Sequence, residues 1–264
     1  MNLKTDKMIA QKDGAIGWIT FNNPARHNAV SLAMWEALHE IVNDYEADDA
    51  IRVIVVKGAG EKAFVSGADI SEFEEKRSSP EVTKHYNDIA QGASEALKAV
   101  GKPTIAMVRG YCVGGGVSVA LSCDLRIAAE GSTFAVPAAK LGLGYEFDGV
   151  RKLVDVVGPS FAREIFYTAR QFTAAEALTM GLINRLVPVD GLESYVREYA
   201  STIAGNAPLT VGSIKTLVAQ ALKDPAKRDE ALCESVVDRC FASADYVEGR
   251  QAFMEKRKPV FRGR

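Results

Sequence analysis

The apolar run Thr104 to Val108 is followed by a short turn and three consecutive glycines, Gly114 to Gly116. Val117, Ala120 and Leu121 then fall at helical spacing. The run suits a buried strand, and the later spacing suits a buried helix that opens at the glycines. Strand, glycine turn and helix N-terminus together aim unpaired backbone N–H groups at one point in space. Glycine lets a ligand approach the main chain there and permits positive φ. Such a point suits an anion, or an oxygen that becomes anionic during a reaction. Taken alone, the glycines equally describe a tight turn in which they only relieve crowding.

The rest of the chain alternates strand and helix signals. Ile16 to Phe21 reads as a strand stopped by Asn22-Asn23-Pro24. Ser31 caps the following helix, in which Met34, Leu38, Ile41 and Tyr45 repeat on one apolar face. Arg52 to Lys57 carries Val-Ile-Val-Val, a β-branched run suited to a strand covered on both faces. A second glycine-bearing loop, Gly58 to Ile70, then enters another helix and provides a second candidate set of N–H donors. Pro80 to Val100 reads as a long helix, Asp124 to Ala128 as a strand and Phe134 to Gly149 as irregular. Thr173 to Glu176 is a capping-box pattern with Gly181 as the helix stop, and Ile183 to Val187 is one more strand.

Beyond Asp190 only helices are predicted: Asp190 to Ala204, Leu209 to Leu222, Pro225 to Phe241 and Ala244 to Lys256. Strands alternating with helices, then helices alone, predict an α/β core over residues 1–200 and a helical C-terminal region over 201–264.

Composition narrows the classes. At 264 residues, with a formal charge of −2, the chain is long enough for one large domain and offers no electrostatic case for nucleic acid. The N-terminus has no signal-peptide core, and no apolar run approaches a membrane span. Cys112, Cys123, Cys233 and Cys240 are scattered, and His27, His39 and His85 are isolated. No protein-bound metal is expected, and a reducing cytoplasm fits.

Several ordered motifs resemble the crotonase superfamily, the enoyl-CoA hydratase/isomerase proteins. They are Asn28-Ala-Val-Ser31, Lys62 to Ile70, Pro103 to Gly116, Cys123-Asp124, Leu178 to Val187 and Glu248 to Pro259. The resemblance implies a spiral of ββα units, a C-terminal helical region used in trimer formation, and an acyl-CoA thioester substrate. It implies a homotrimer or dimer of trimers, and no cofactor beyond the CoA of the substrate. By position, the backbone N–H groups of Ala68 and Gly115 would grip the thioester carbonyl as an oxyanion hole. Arg26, Lys256 and Lys258 are candidates for the CoA phosphates, each against a default of solvated surface charge.

The resemblance breaks at the catalytic side chains. Ser118 and Ala138 occupy the positions where typical hydratases carry their two glutamates. Serine without an activating base cannot replace a carboxylate, and alanine has no proton chemistry. Glu146 falls where some isomerases and aroyl-CoA dehalogenases of the superfamily place a single acid, with Asp148 as its nearest rival. Tyr145 and Phe147 would raise the Glu146 pKa if the loop is buried. Isomerisation by Glu146 is the first expectation and a divergent hydratase the second. A dehalogenase, a non-catalytic acyl-CoA binder and a scaffold follow. Asp69 is expected to cap its helix, Asp124 to be structural, and residues 70–89 to set the length of the acyl pocket.

Overall fold

In the computed structural model, which describes residues 3–69 and 80–264, β-branched and aromatic runs build two sheets. β1 (Met8–Asp13) and β2 (Ile16–Phe21) form an antiparallel pair. β3 (Val53–Gly58), β5 (Thr104–Val108), β7 (Leu125–Ala129) and β10 (Arg185–Val187) extend that pair with parallel strands in the order β1-β2-β3-β5-β7-β10. The smaller sheet has the order β4-β6-β8-β9. Its members are β4 (Ala63–Val65), β6 (Tyr111–Val113), β8 (Thr133–Ala135) and β9 (Phe172–Thr173). β3/β4, β5/β6 and β7/β8 each give one strand to each sheet. β5-β6 leads into α3 (Gly115–Ser122), and β7-β8 leads into α4 (Phe147–Thr168). These are the expected ββα turns of a spiral. The helix expected after Ile70 lies outside the described residues.

Local signals explain most of the helices. Ser31 Oγ accepts from Met34 N at 3.4 Å and opens α1 (Leu32–Ala47). The Met34, Leu38, Ile41 and Tyr45 face is wholly buried, and each aliphatic member contributes about 1.5–3 kcal/mol. α2 (Pro80–Ala99) packs across α1. The capping box at Thr173 and Glu176 opens α5 (Ala174–Thr179), and Gly181 takes φ 74° just beyond it.

Two stretches differ from expectation. Residues 134–149, read as irregular, contain β8, a 3-10 helix over Pro137–Leu141 and the start of α4. α4 has no clean sequence signature because Gly158, at φ 74° and ψ 170°, and Pro159 divide it at a kink. Pro225 to Phe241 is also divided: a 3-10 turn over Pro225–Lys227 precedes α8 (Glu230–Phe241), which Asp229 caps at Leu232 N.

The core lies on both faces of the larger sheet. α1 and α3 pack on one face with α2 and α4 against them, and α6 (Leu192–Ala204) covers Trp18, Val55, Ile105 and Ile127 on the other. A division at residue 200 therefore falls inside α6, whose Ala200 and Ala204 still pack on the sheet. α7 (Pro208–Ala221), α8 and α9 (Ala244–Glu255) complete the helical region. Ile214, Val218, Leu222, Phe241, Phe253 and Met254 are exposed there. Among the described residues no helix is long and apolar enough to cross a membrane.

Candidate active site

β4 and β6 run parallel in the smaller sheet and end side by side, at Gly67-Ala68 and at Gly114-Gly115. Val30 forms a parallel bridge with Ala68. Its N–H donates to Gly67 O at 2.8 Å, and its carbonyl accepts from Asp69 N at 3.0 Å. In that geometry the neighbours of Ala68 make the bonds, so the Ala68 N–H faces away from Val30. Its nitrogen lies close to Gly115: a methyl group placed on Gly115 would be 3.8 Å from Ala68 N. Gly115 is the first residue of α3, where the N–H has no partner within the helix. Among the described residues neither the Ala68 nor the Gly115 N–H donates a hydrogen bond. Two donors from two ββα units thus converge, with the helix dipole of α3 behind one of them.

Glycine is required nearby for closeness. A Cβ on Gly116 would fall 2.1 Å from Val65 O, so α3 could not dock on β4 with any other residue there. Gly67, at φ 114°, turns the chain so that Ala68 points into the site.

A zipper holds the Ala68 loop from behind. Ser66 N donates to His27 O at 3.1 Å, and Arg26 Nη1 lies 3.0 Å from Asp69 Oδ1. Asn28 is fully buried; its Nδ2 donates to Ala59 O at 2.9 Å and Ala63 O at 2.7 Å, and its Oδ1 accepts from Asn23 N. Asp69 was expected to cap a helix that lies outside the described residues. What the structure gives it is a buried carboxylate facing Arg26. Near Arg26 in the chain, a cleft of about 280 Å³ is lined by Pro24, His27, Asn28, Ala59, Glu61, Lys62 and Ala63.

The side chains expected to do chemistry are dispersed. Ser118 is half-buried on α3, and no histidine or carboxylate hydrogen-bonds its hydroxyl among the described residues. Ala138 is buried on the 3-10 helix. Leu143 N donates to Ala138 O at 3.0 Å, which brings the Glu146 loop back towards that position. Glu146 is the N-cap residue of α4 without a side-chain cap bond, and it is exposed.

The buried loop expected around Glu146 is not found in the single chain. Tyr145 turns inward onto Phe166, ring centroids 4.8 Å apart, and burial pushes its phenol up. Phe147 turns outward and is 76% exposed, beside exposed Leu141 and Leu143. The chain turns into α4 directly after Tyr145, and both Glu146 and Phe147 face outward. Asp148 is exposed in the first turn of α4, where Gln91 Nε2 approaches it at 3.4 Å. Lys256 and Lys258 are exposed after α9, with Arg257 between them held by Glu248 and Glu255.

Asp124 is structural, as expected. Its Oδ2 accepts from Thr104 N, Thr104 Oγ1 and Lys215 Nζ, at 2.8, 3.0 and 2.9 Å. Residues 70–79, the first part of the expected acyl pocket, lie outside the described residues. Sequence reasoning passed over Asn28 as a strut and the buried Arg126. No local signal marks either, because their partners are distant in the chain.

The comparisons with known proteins agree with this geometry. The model of the family described as enoyl-CoA hydratase/isomerase matches residues 11–264. A short-chain-enoyl-CoA hydratase of Clostridium acetobutylicum is 31% identical over 256 residues, 97% of each chain. A carnitinyl-CoA dehydratase of Salmonella agona is 33% identical over 98% of this chain and 100% of its own. Among solved structures, an enoyl-CoA hydratase/carnithine racemase from Magnetospirillum magneticum superposes with a TM-score of 0.94. It is 37% identical and the match covers 99% of this chain and 97% of that one.

Proposed function

Since the chain belongs to the enoyl-CoA hydratase/isomerase family, and is therefore an acyl-CoA enzyme, we propose that it moves the double bond of an enoyl-CoA through a thioester enolate. The observation that carries this reading is the pair of undonated N–H groups of Ala68 and Gly115 at the meeting of β4 and β6. Negative charge collects on the thioester oxygen when a proton leaves the α or γ carbon. Preorganised donors at that oxygen are each worth about 10²–10³ in rate by analogy with other oxyanion holes.

Glu146 takes the proton from one carbon of the enoyl group and returns it to the other. Two things support this role: Ser118 and Ala138 stand where a hydratase carries its carboxylates, and the Glu146 loop bonds back to Ala138. Asp148, two residues on in the first turn of α4, is the alternative base. Phe147, Leu141 and Leu143 are exposed around Glu146, and a bound acyl chain or a second subunit would cover them and desolvate the carboxylate. The CoA phosphates lie along Arg26, with Lys256 and Lys258 contributed from a neighbouring subunit. The exposed apolar residues of α7, α8 and α9 support a trimer or a dimer of trimers. No cofactor beyond the substrate's own CoA enters the reaction, and four free thiols fit a cytoplasmic setting.

The names of the relatives favour a second reading, hydration with Glu146 or Asp148 activating water. Incubation with 3-enoyl and 2-enoyl thioesters in heavy-oxygen water separates the two. Isomerisation moves the double bond without taking up the label, whereas hydration places it in a 3-hydroxyacyl product. Full isomerase activity in Glu146→Gln would refute the role given to that residue.

A further inference from the structure

Arg126 is the second residue of β7 and is buried, although no carboxylate lies within ion-pair distance of it among the described residues. Its donors go to backbone carbonyls instead. Nε donates to Leu182 O at 2.7 Å, and Nη1 donates to Cys123 O at 2.7 Å and Ala120 O at 3.3 Å. Ala120 and Cys123 carry the carbonyls at the C-terminal end of α3, the helix whose first residue is Gly115. The guanidinium therefore closes the negative end of the same eight-residue helix whose positive end faces the oxyanion site.

Asp124, two residues before Arg126, is the nearby acidic group, and it acts on the guanidinium through space without an ion-pair contact. Cys112 and Cys123 are the other titratable side chains near the guanidinium. Burial pushes the Cys123 thiol up to about 12 and that of Cys112 higher still, so both remain neutral at working pH. The Asp124 carboxylate bonds Thr104 and Lys215, so its negative charge is shared with the Lys215 ammonium. Burial pulls the arginine pKa down, but a guanidinium stays protonated in a protein. A helix of eight residues is about 12 Å long. At that distance, with no aqueous layer between, a fixed positive charge still acts on an anion forming at the far end.

We propose that Arg126 is a positioning residue of the oxyanion hole: its guanidinium anchors α3 from the C-terminal end, so that Gly115 N–H is held in place and the forming enolate is stabilised by the aligned helix and the charge behind it. This rests on the Ala68–Gly115 hole and not on which carboxylate moves the proton. A role confined to stability would lower the melting temperature without changing how strongly a bound thioester carbonyl is polarised.

The test uses an aryl-conjugated acryloyl-CoA, whose absorption moves to longer wavelength when its carbonyl is polarised. It compares the wild-type protein with Arg126→Lys, Arg126→Met and Arg126→Gln. Wild type is expected to red-shift the bound chromophore. Arg126→Lys should keep most of the shift and kcat within about threefold. The neutral variants should lose most of the shift and about tenfold in kcat, with KM within about twofold, a loss equivalent to about 1.4 kcal/mol. If Arg126→Met does not fold, Arg126→Gln, which still donates to the carbonyls, gives the neutral arm. A folded neutral variant with the wild-type shift and kcat overturns the proposal, as does Arg126→Lys falling as far as the neutral variants. A wild-type protein that binds the thioester without any red shift overturns the oxyanion hole itself, and the role of Arg126 with it.

Discussion

Arg26 places a guanidinium nitrogen 3.0 Å from the carboxylate of Asp69, the residue that follows the Ala68 donor. The arginine is half exposed and the carboxylate is buried, so the pair joins a solvent-facing guanidinium with the backbone of the oxyanion loop. Two roles can be separated by experiment. If Arg26 meets only CoA phosphates, Arg26→Ala raises KM for the CoA ester and leaves a pantetheine thioester, which lacks the nucleotide, unaffected. If it also steadies Ala68 through Asp69, kcat falls for both substrates. The zipper geometry predicts the second pattern, about fivefold in kcat, with partial recovery in Arg26→Lys.

Gly115 and Gly116 are adjacent but answer to different constraints. A methyl group on Gly115 meets Gly67 backbone at 3.7 Å, ordinary van der Waals contact, yet it occupies space beside the Ala68 donor. Gly115→Ala should keep its melting temperature within a few degrees while kcat falls by about tenfold or more. In Gly116→Ala the methyl meets Val65 O at 2.1 Å, and α3 has to move off β4. That variant should lose both stability and activity. Thermal melts alongside steady-state kinetics distinguish the two positions, and equal melting temperatures would contradict the docking described for α3.

Glu248 ties the C-terminal tail through Arg257 at 2.6 Å and Val260 N at 2.8 Å, and its pKa is held down to about 2 by that guanidinium and the backbone N–H. Its folded value lies below the ordinary value of 4.5, so its contribution to stability is complete above about pH 4.5 and is lost as pH falls towards 2. Glu176 behaves in the same way, with its pKa lowered to about 2 by Arg170 and the Thr173 capping bonds. The melting temperature should fall across that window. In Glu248→Gln it should start lower at neutral pH and fall less on acidification, and an unchanged pH profile would contradict the linkage.

Cys112 and Cys123 are buried and their thiols are pushed up, whereas Cys233 and Cys240 are half-buried. The thiolate is the reactive form. Alkylation of the native protein at pH 8, read by peptide mass spectrometry, should therefore spare Cys112 and Cys123, and denaturant should expose them. Native labelling of Cys112 would show that β6 opens next to the site.

The sequence made the long-period features legible and hid the short ones. The face Met34, Leu38, Ile41 and Tyr45, the run Thr104–Val108 and the capping box at Thr173 carry enough residues to show a period. β4, β6 and β8 have three residues each, too few for alternation to register, yet β4 and β6 deliver the two donors. α4 was lost because Gly158 and Pro159 interrupt its apolar spacing. In the site, the glycine triplet was readable as an N–H-rich turn. Its partnership with Ala68 came only from resemblance, since a backbone donor has no side-chain signature. Arg26–Asp69 and Arg126–Leu182 join residues far apart in the chain, so no local pattern announces them. The exposure of Glu146 depends on which way the turn before α4 faces, and spacing does not fix that.

The central claim is that Ala68 and Gly115 together hold the thioester oxygen. A crystal structure of the protein with a non-reactive acyl-CoA analogue tests it most directly. The prediction is a single carbonyl oxygen within about 2.7–3.1 Å of both backbone nitrogens. A bound analogue whose carbonyl meets neither nitrogen, or only one of them, would contradict the account.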